Sequence, residues 1–112
     1  MQAIIDTGFI MNHMKNGDSF ITSIESKGYK IRVSKIILNE LKDIANSVKS
    51  GVGDNDLAKK ALELFGDHKR FKRVDMGHGP TNESLIAKSQ EGFFIGTLDK
   101  EVNRRITNKL VI

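Results

Sequence analysis

Residues 2–10 read Gln-Ala-Ile-Ile-Asp-Thr-Gly-Phe-Ile, a short apolar run that ends in Asp6 and continues into a segment of helical character. A short apolar run predicts a buried strand, and an aspartate at its end is a favoured helix N-cap. The stretch therefore predicts a strand that passes directly into a helix. This junction is the unit from which parallel α/β sheets are built.

The rest of the chain repeats this alternation of strand and helix patterns. Ser34 follows a predicted strand at 30–33 and can cap a helix whose apolar stripe is Ile37, Leu41, Ile44, Ala45 and Val48. Further strands are predicted at 71–75, 93–97 and 110–112, and helices at about 54–65, 81–91 and 99–107. The alternation predicts an α/β fold with a mainly parallel sheet of about five strands and right-handed crossovers.

The composition limits the size and the chemistry of the protein. The chain has 112 residues and no internal repeat, which predicts a single domain over 1–112. It has no cysteine, which excludes a disulfide framework, a thiolate zinc site and a cysteine nucleophile. Its three histidines do not form the H-x-x-x-H pair of a zinc hydrolase. Any catalytic metal must therefore bind oxygen ligands.

The apolar runs are too short for a membrane span, since the longest have three residues. A strand predicted from residue 2 leaves no room for a signal peptide, so we expect a cytoplasmic protein without a membrane partner.

The charge pattern favours a polyanionic partner. The formal net charge is +4, and all of the excess lies in residues 57–112. A basic surface attracts nucleic acid, although bulk charge indicates non-specific attraction and not a reaction. The chain has no Trp, one Tyr and six Phe, which argues against a base-stacking platform.

Two aspartates occupy the positions where reactive groups gather in open parallel sheets, beyond the carboxyl ends of the strands. Asp6 directly follows the first strand, and Asp99 lies two residues past the predicted strand at 93–97. Each could serve only as a helix cap, which is the commoner role of aspartate at such a junction.

Two glutamates lie on predicted helices. Glu40 interrupts the apolar edge of its helix, so it lies either near the core or a cleft, or it reaches past the stripe to solvent. Glu83 falls in the first turn of its helix, where the helix dipole favours an acid without any functional demand. Together the four acids would repel one another unless cations neutralised them. An oxygen-only site of this kind suits Mg²⁺ or Mn²⁺, ions that promote phosphoester hydrolysis.

The order of these features resembles the PIN domain family of metal-dependent ribonucleases over nearly the whole chain. The matching segments are 4–10 (Ile-Ile-Asp-Thr-Gly-Phe-Ile), 33–34 leading to 38–41 (Leu-Asn-Glu-Leu), 83–87 (Glu-Ser-Leu-Ile-Ala) and 95–99 (Ile-Gly-Thr-Leu-Asp). The resemblance implies a three-layer α/β/α fold with a five-stranded sheet of order 3-2-1-4-5. It also implies an acidic cluster that binds Mg²⁺ or Mn²⁺ and cleaves single-stranded RNA.

The resemblance assigns the site residue by residue. Asp6, Glu40, Glu83 and Asp99 match the acidic positions that bind metal, and Thr97 matches a hydroxyl residue that helps to orient the site. The sequence departs from the family at two positions. Gly8 stands where Asn or Ser is usual, and Glu83 stands where Asp is most often found, so neighbouring Asn82 is an alternative match.

Several basic residues are candidates for RNA contacts. Lys100 and Arg104 share one face of the helix that starts at Asp99, while Lys69, Arg70, Lys72 and Arg73 could contact phosphates or form only a solvated approach to the third strand. Arg105 is placed to pair with Glu101 at i, i+4.

The sequence thus predicts a divalent-metal-dependent endoribonuclease. The resemblance leaves two roles open: the toxin of a toxin–antitoxin pair of the VapC type, with an antitoxin protein as partner, or a processing nuclease for ribosomal precursor or other stable RNA. The compact length and the closing segment 107–112 are slightly more similar to the small archaeal processing type. The family often forms homodimers. The rival hypothesis is a non-catalytic PIN-like RNA-binding or scaffold protein with a degenerate metal site, suggested by Gly8 and Glu83. A phosphoacceptor receiver domain would need a pair of acids at the first strand end, where only Asp6 stands.

Overall fold

The chain alternates strands and helices as the sequence predicts. The structure, a computed structural model, describes residues 1–112. Its strands are β1 (Gln2–Ile5), β2 (Lys30–Ser34), β3 (Arg73–Val74) and β4 (Phe94–Gly96), and its helices are α1 (Thr7–Asn16), α2 (Phe20–Ser26), α3 (Lys35–Asn46), α4 (Gly51–Phe65), α5 (Thr81–Gln90) and α6 (Lys100–Arg105).

All four strands run parallel in the spatial order β3-β2-β1-β4. The chain moves from β1 outward to β3 and then crosses to β4 on the other side of β1. The order therefore reverses between β1 and β4, where Ile5 pairs with Gly96. In parallel sheets this reversal opens a crevice beyond the carboxyl ends of the strands.

The fifth strand expected at 110–112 does not form, so the predicted order 3-2-1-4-5 is wrong in its last member. A single bridge pairs Ile95 with Lys109. The bridge consists of two hydrogen bonds, from the Ile95 N–H to the Asn108 carbonyl at 2.9 Å and from the Leu110 N–H to the Ile95 carbonyl at 3.0 Å. The Leu110 side chain is buried in the core, while residues 111–112 are exposed. A buried side chain anchors this segment in place of a ladder of hydrogen bonds. The sheet has four strands.

Helices α3 and α4 form a closely packed pair that fixes the position of α3. Leu41 on α3 and Ala58 and Phe65 on α4 are fully buried. The Asn55 amide donates to the carbonyls of Ile44, at 2.6 Å, and Ser47, at 2.9 Å, which satisfies the open end of α3. Helix α4 begins at Gly51, earlier than the sequence predicts. None of the helices combines the length and the apolar character needed to cross a bilayer.

Candidate functional site

An open cleft of about 500 Å³ lies at the carboxyl end of the sheet, where β1 and β4 meet. Asp6, Glu40 and Asp99 all line it, together with Asp43 and Asn82. The structure therefore brings three of the four acids singled out in the sequence to one cleft. Asp6 and Asp99 meet there because parallel strands end at the same edge of the sheet, and Glu40 reaches the cleft from α3. We call it the acidic cleft.

Asp6 lies at the base of this cleft and is both a helix cap and a cleft residue. Its Oδ1 accepts a hydrogen bond from the Phe9 backbone N–H at 2.9 Å, which caps α1, and its Oδ2 accepts one from the Thr97 hydroxyl. Burial raises the pKa of Asp6, and the charges of Glu40 and Asp99 raise it further, against the opposing effect of the two hydrogen bonds. A cation bound in the cleft would therefore stabilise the ionised form of Asp6.

Asp99 has the same double role at the end of β4. Its Oδ1 accepts from the Val102 N–H at 3.0 Å and caps α6, while its Oδ2 lies 3.4 Å from the Asn82 amide nitrogen. The Asp99 backbone N–H donates to Thr97 Oγ at 3.1 Å. The buried Thr97 hydroxyl therefore contacts both aspartates and ties the two strand ends together.

Glu40 is held by hydroxyl groups from two other helices. Its Oε1 accepts from Thr7, the first residue of α1, at 2.5 Å, and its Oε2 accepts from Thr81, the first residue of α5, at 3.4 Å. The buried residues Ile37 and Leu41 fix the rotation of α3 and so direct Glu40 to this position at the edge of the core. Its carboxylate joins the starts of α1 and α5.

Glu83 does not join the other carboxylates in this structure. It is exposed and binds the Arg105 guanidinium through both oxygens, at 2.8 and 3.2 Å. The hydrogen bond and the charge of Arg105 lower the pKa of Glu83 and in turn raise the pKa of Arg105. Successive residues of a helix point about 100° apart, so Asn82 faces the acidic cleft and Glu83 faces away from it. The predicted Arg105–Glu101 pair is wrong, since Arg104 contacts Glu101.

The basic residues proposed for RNA contact are divided among three places. Lys100 and Arg104 are exposed on α6, next to the acidic cleft but outside its lining. Lys69, Arg70 and Lys72 line a different cleft that also includes Gln2, the first residue of β1. Arg73 donates to the carbonyls of Phe65, at 3.2 Å, and Phe71, at 3.0 Å, and therefore holds the turn before β3.

The donor chemistry of the acidic cleft fits a hard divalent cation, because carboxylate and amide oxygens are the ligands that Mg²⁺ and Mn²⁺ prefer. The spacing is wider than one ion needs, since the structure contains no group of three or more His, Asp or Glu side chains close enough to hold a metal as they stand. Asp6 and Glu40 are instead oriented by hydroxyl groups. To share one ion, the side chains would have to move inward.

Three cleft residues escaped sequence reasoning. Asp43 lies one turn after Glu40 on the same face of α3, and this i, i+3 spacing of two acids was the available signal. Thr7 and Thr81, which hold Glu40, each begin a helix. Threonine is common at the start of a helix, so nothing in the sequence around Thr7 or Thr81 indicates that these residues contact Glu40.

Comparison with known proteins supports the fold. No family model matches the chain, and no curated protein matches it either. Among solved structures, the chain is similar to a chain in the crystal structure of VapBC2 from Rickettsia felis bound to a DNA fragment from their promoter, with 20% sequence identity and a TM-score of 0.61. The match covers 100% of this chain and 98% of that one. At this identity the similarity shows the fold alone, the parallel α/β fold described above.

Proposed function

We propose that the protein is a divalent-metal-dependent endoribonuclease that hydrolyses phosphodiester bonds of single-stranded RNA. The observation that carries the proposal is the meeting of Asp6, Glu40 and Asp99 in one open cleft beyond the ends of parallel strands. Burial is the main cause of the raised pKa of Asp6, and the charges of Glu40 and Asp99 add to it. A bound cation would offset both the burial of the charged carboxylate and the repulsion between the acids.

In this proposal Asp6, Glu40 and Asp99 hold Mg²⁺ or Mn²⁺. Asn82, which lies beside Asp99, takes the ligand position for which the sequence offered either Asn82 or Glu83. A bound divalent ion would polarise the phosphodiester and activate water. Thr97 fixes the orientation of the Asp6 carboxylate, and Thr7 and Thr81 do the same for Glu40. Such supporting hydrogen bonds set how well carboxylates bind a metal.

The biological role we favour is that of a toxin with an antitoxin protein as partner. Its support is the similarity over the full chain to a chain in the structure of VapBC2 bound to a DNA fragment from their promoter. A processing role on ribosomal precursor or other stable RNA needs the same acidic cleft. The two are distinguished by whether a small partner protein co-purifies and blocks cleavage.

A second candidate function is RNA binding without cleavage. Two observations favour it: Glu83 is paired with Arg105 outside the acidic cleft, and no three acids stand within reach of one ion. Gly8 also lines the cleft and has no side chain. There is space for one, since an added Cβ would meet nothing closer than Asp6 Oδ1 at 3.9 Å. The cleft thus has room for a polar group that this sequence does not supply.

The test is incubation of the purified protein with labelled single-stranded RNA in Mg²⁺, in Mn²⁺ and in chelator. The nuclease proposal expects cleavage with either metal and none in chelator. Binding of RNA without cleavage in all three conditions would favour the scaffold instead. Cleavage that persists in chelator would contradict a metal-dependent mechanism.

A further inference from the structure

A second cleft, of about 470 Å³, lies at the opposite end of the sheet. We call it the basic cleft. Its lining includes Gln2 and Lys30, which start β1 and β2, and the turn that leads to β3. The cationic side chains in it are Lys30, Arg32, Lys69, Arg70 and Lys72, and the one acidic side chain is Glu25. Two distant segments of the chain thus supply a concentrated positive charge.

Most of this charge is not neutralised within the protein. Arg70 binds Glu25 at 2.9 Å and is held over the Phe71 ring, so the single acid of the basic cleft is already paired. Lys30, Lys69 and Lys72 are exposed and make no ion pair. Arg32 donates through Nε to the Gln2 side chain at 2.6 Å, which leaves its two terminal nitrogens for another acceptor.

The basic cleft is separate from the acidic cleft. The two share no residue and lie at opposite ends of β1. Gln2 in the basic cleft and Asp6 in the acidic cleft are about 13 Å apart along the chain, at about 3.3 Å per residue. Carboxylates therefore gather at one end of the sheet and unpaired cations at the other. A ligand of the basic cleft need not touch the acids at all.

We propose that the basic cleft binds the phosphate backbone of a nucleic acid strand, independently of the acidic cleft. Three unpaired lysines and a partly free guanidinium are the groups that neutralise phosphates. Of the residues that line the cleft, only Tyr29 and Ile31 are apolar, and Ile31 is buried. A lining of donors and positive charge with almost no accessible apolar surface is what a phosphate backbone requires. The inference does not depend on the cleavage activity proposed above.

The experiment measures binding of a fluorescent single-stranded RNA by anisotropy in chelator over a range of salt concentrations. The variant replaces Lys30, Lys69 and Lys72 with glutamine. The matched control replaces Lys49, Lys59 and Lys60, three exposed lysines on or before α4 that make no ion pair and lie outside both clefts. Both triple variants lose the same charge, so only the position differs.

We expect the first variant to bind the RNA about 10- to 100-fold more weakly at about 0.1 M salt and to lower the slope of log K against log salt by about 2. The control should change both quantities much less. Equal losses in the two variants would reduce the effect to bulk charge and overturn the proposal, as would unchanged binding in the first. Tighter binding of polyglutamate than of RNA would also overturn it, in favour of an acidic protein partner.

Discussion

The Thr97 hydroxyl donates a hydrogen bond to Oδ2 of Asp6 and so joins the ends of β4 and β1 across the point where the strand order reverses. The same hydroxyl oxygen accepts from the backbone N–H of Asp99 at 3.1 Å. One buried side chain therefore contacts the carboxylate of Asp6 and the backbone of Asp99, two of the three acids that line the acidic cleft. Because it would not itself bind the metal, we interpret Thr97 as a positioning residue.

Replacing Thr97 with valine should weaken Mn²⁺ binding by about 10- to 100-fold, because a supporting hydrogen bond to a metal-binding carboxylate is lost. The variant should also lose about 1–2 kcal/mol of stability, since Asp6 and the Asp99 N–H lose a partner. Thr97→Ser keeps the hydroxyl and should restore most of the metal affinity. Calorimetric titration with Mn²⁺ measures the difference, and equal affinities for the valine and serine variants would contradict the role.

Asp6→Asn should stabilise the protein at neutral pH while it removes the proposed activity. The pKa of Asp6 is raised in the folded state, chiefly by burial. The free energy of unfolding therefore falls as pH rises from the ordinary pKa of an aspartate through the raised pKa of the folded state. The asparagine carries no charge, so it should raise the free energy of unfolding at pH 7 by about 1 kcal/mol and the Tm by a few degrees. Below the ordinary pKa of an aspartate, Asp6 is protonated in both the folded and the unfolded protein, so the stability advantage of the variant should vanish at low pH. Thermal unfolding across this range checks both parts.

Glu83→Gln should leave metal-dependent cleavage within about twofold, because Glu83 faces Arg105 and not the acidic cleft. Glu40→Gln should lower cleavage by about 100-fold or more, since its carboxylate is a proposed metal ligand. The Glu83 pair should contribute little stability, which is present above the ordinary pKa of the glutamate and is lost as pH falls through its lowered value. A loss of cleavage in Glu83→Gln equal to that in Glu40→Gln would place Glu83 in the site.

Gly96→Ala should destabilise the fold by about 1–3 kcal/mol through overpacking. A Cβ at this position would lie 2.9 Å from Ile5 Cγ2 and 3.1 Å from Leu110 Cδ2, where β1, β4 and the final segment meet. Gly53→Ala is the matched control, because a Cβ there meets nothing within 4 Å and the residue lies in α4. The control should be neutral or gain up to about 1 kcal/mol. Urea unfolding compares the two, and equal stabilities would contradict the packing at Gly96.

The sequence was most informative where a local pattern determines local structure. The strand-to-helix junctions at Asp6, Ser34 and Asp99 were predicted, and all three side chains cap the following helix in the structure. Asp6 and Asp99 were also predicted to lie close together, because parallel strands end at the same edge of a sheet. Both line one cleft in the structure. Capping and convergence are therefore not alternatives here, since each aspartate uses one oxygen for the cap.

The sequence was least informative where long-range contacts decide. Nothing in the sequence near Glu83 shows that its partner is Arg105, 22 residues away, and the local i, i+4 rule gave Arg105 the wrong partner. Residues 110–112 have the apolar character of a strand, yet Leu110 packs into the core and the ladder ends after one bridge. The basic cleft likewise joins β1 and β2 to a turn some 40 residues later.

The most direct test of the central claim compares RNA cleavage by Asp6→Asn and Asp56→Asn in Mn²⁺. Both variants lose one carboxylate charge, but Asp6 lies in the acidic cleft, whereas Asp56 is exposed on α4 and makes no ion pair. We expect Asp56→Asn to cleave single-stranded RNA at the wild-type rate and Asp6→Asn to be at least about 100-fold slower while it remains folded. Cleavage by Asp6→Asn at the wild-type rate would contradict the assignment of the acidic cleft as the catalytic site.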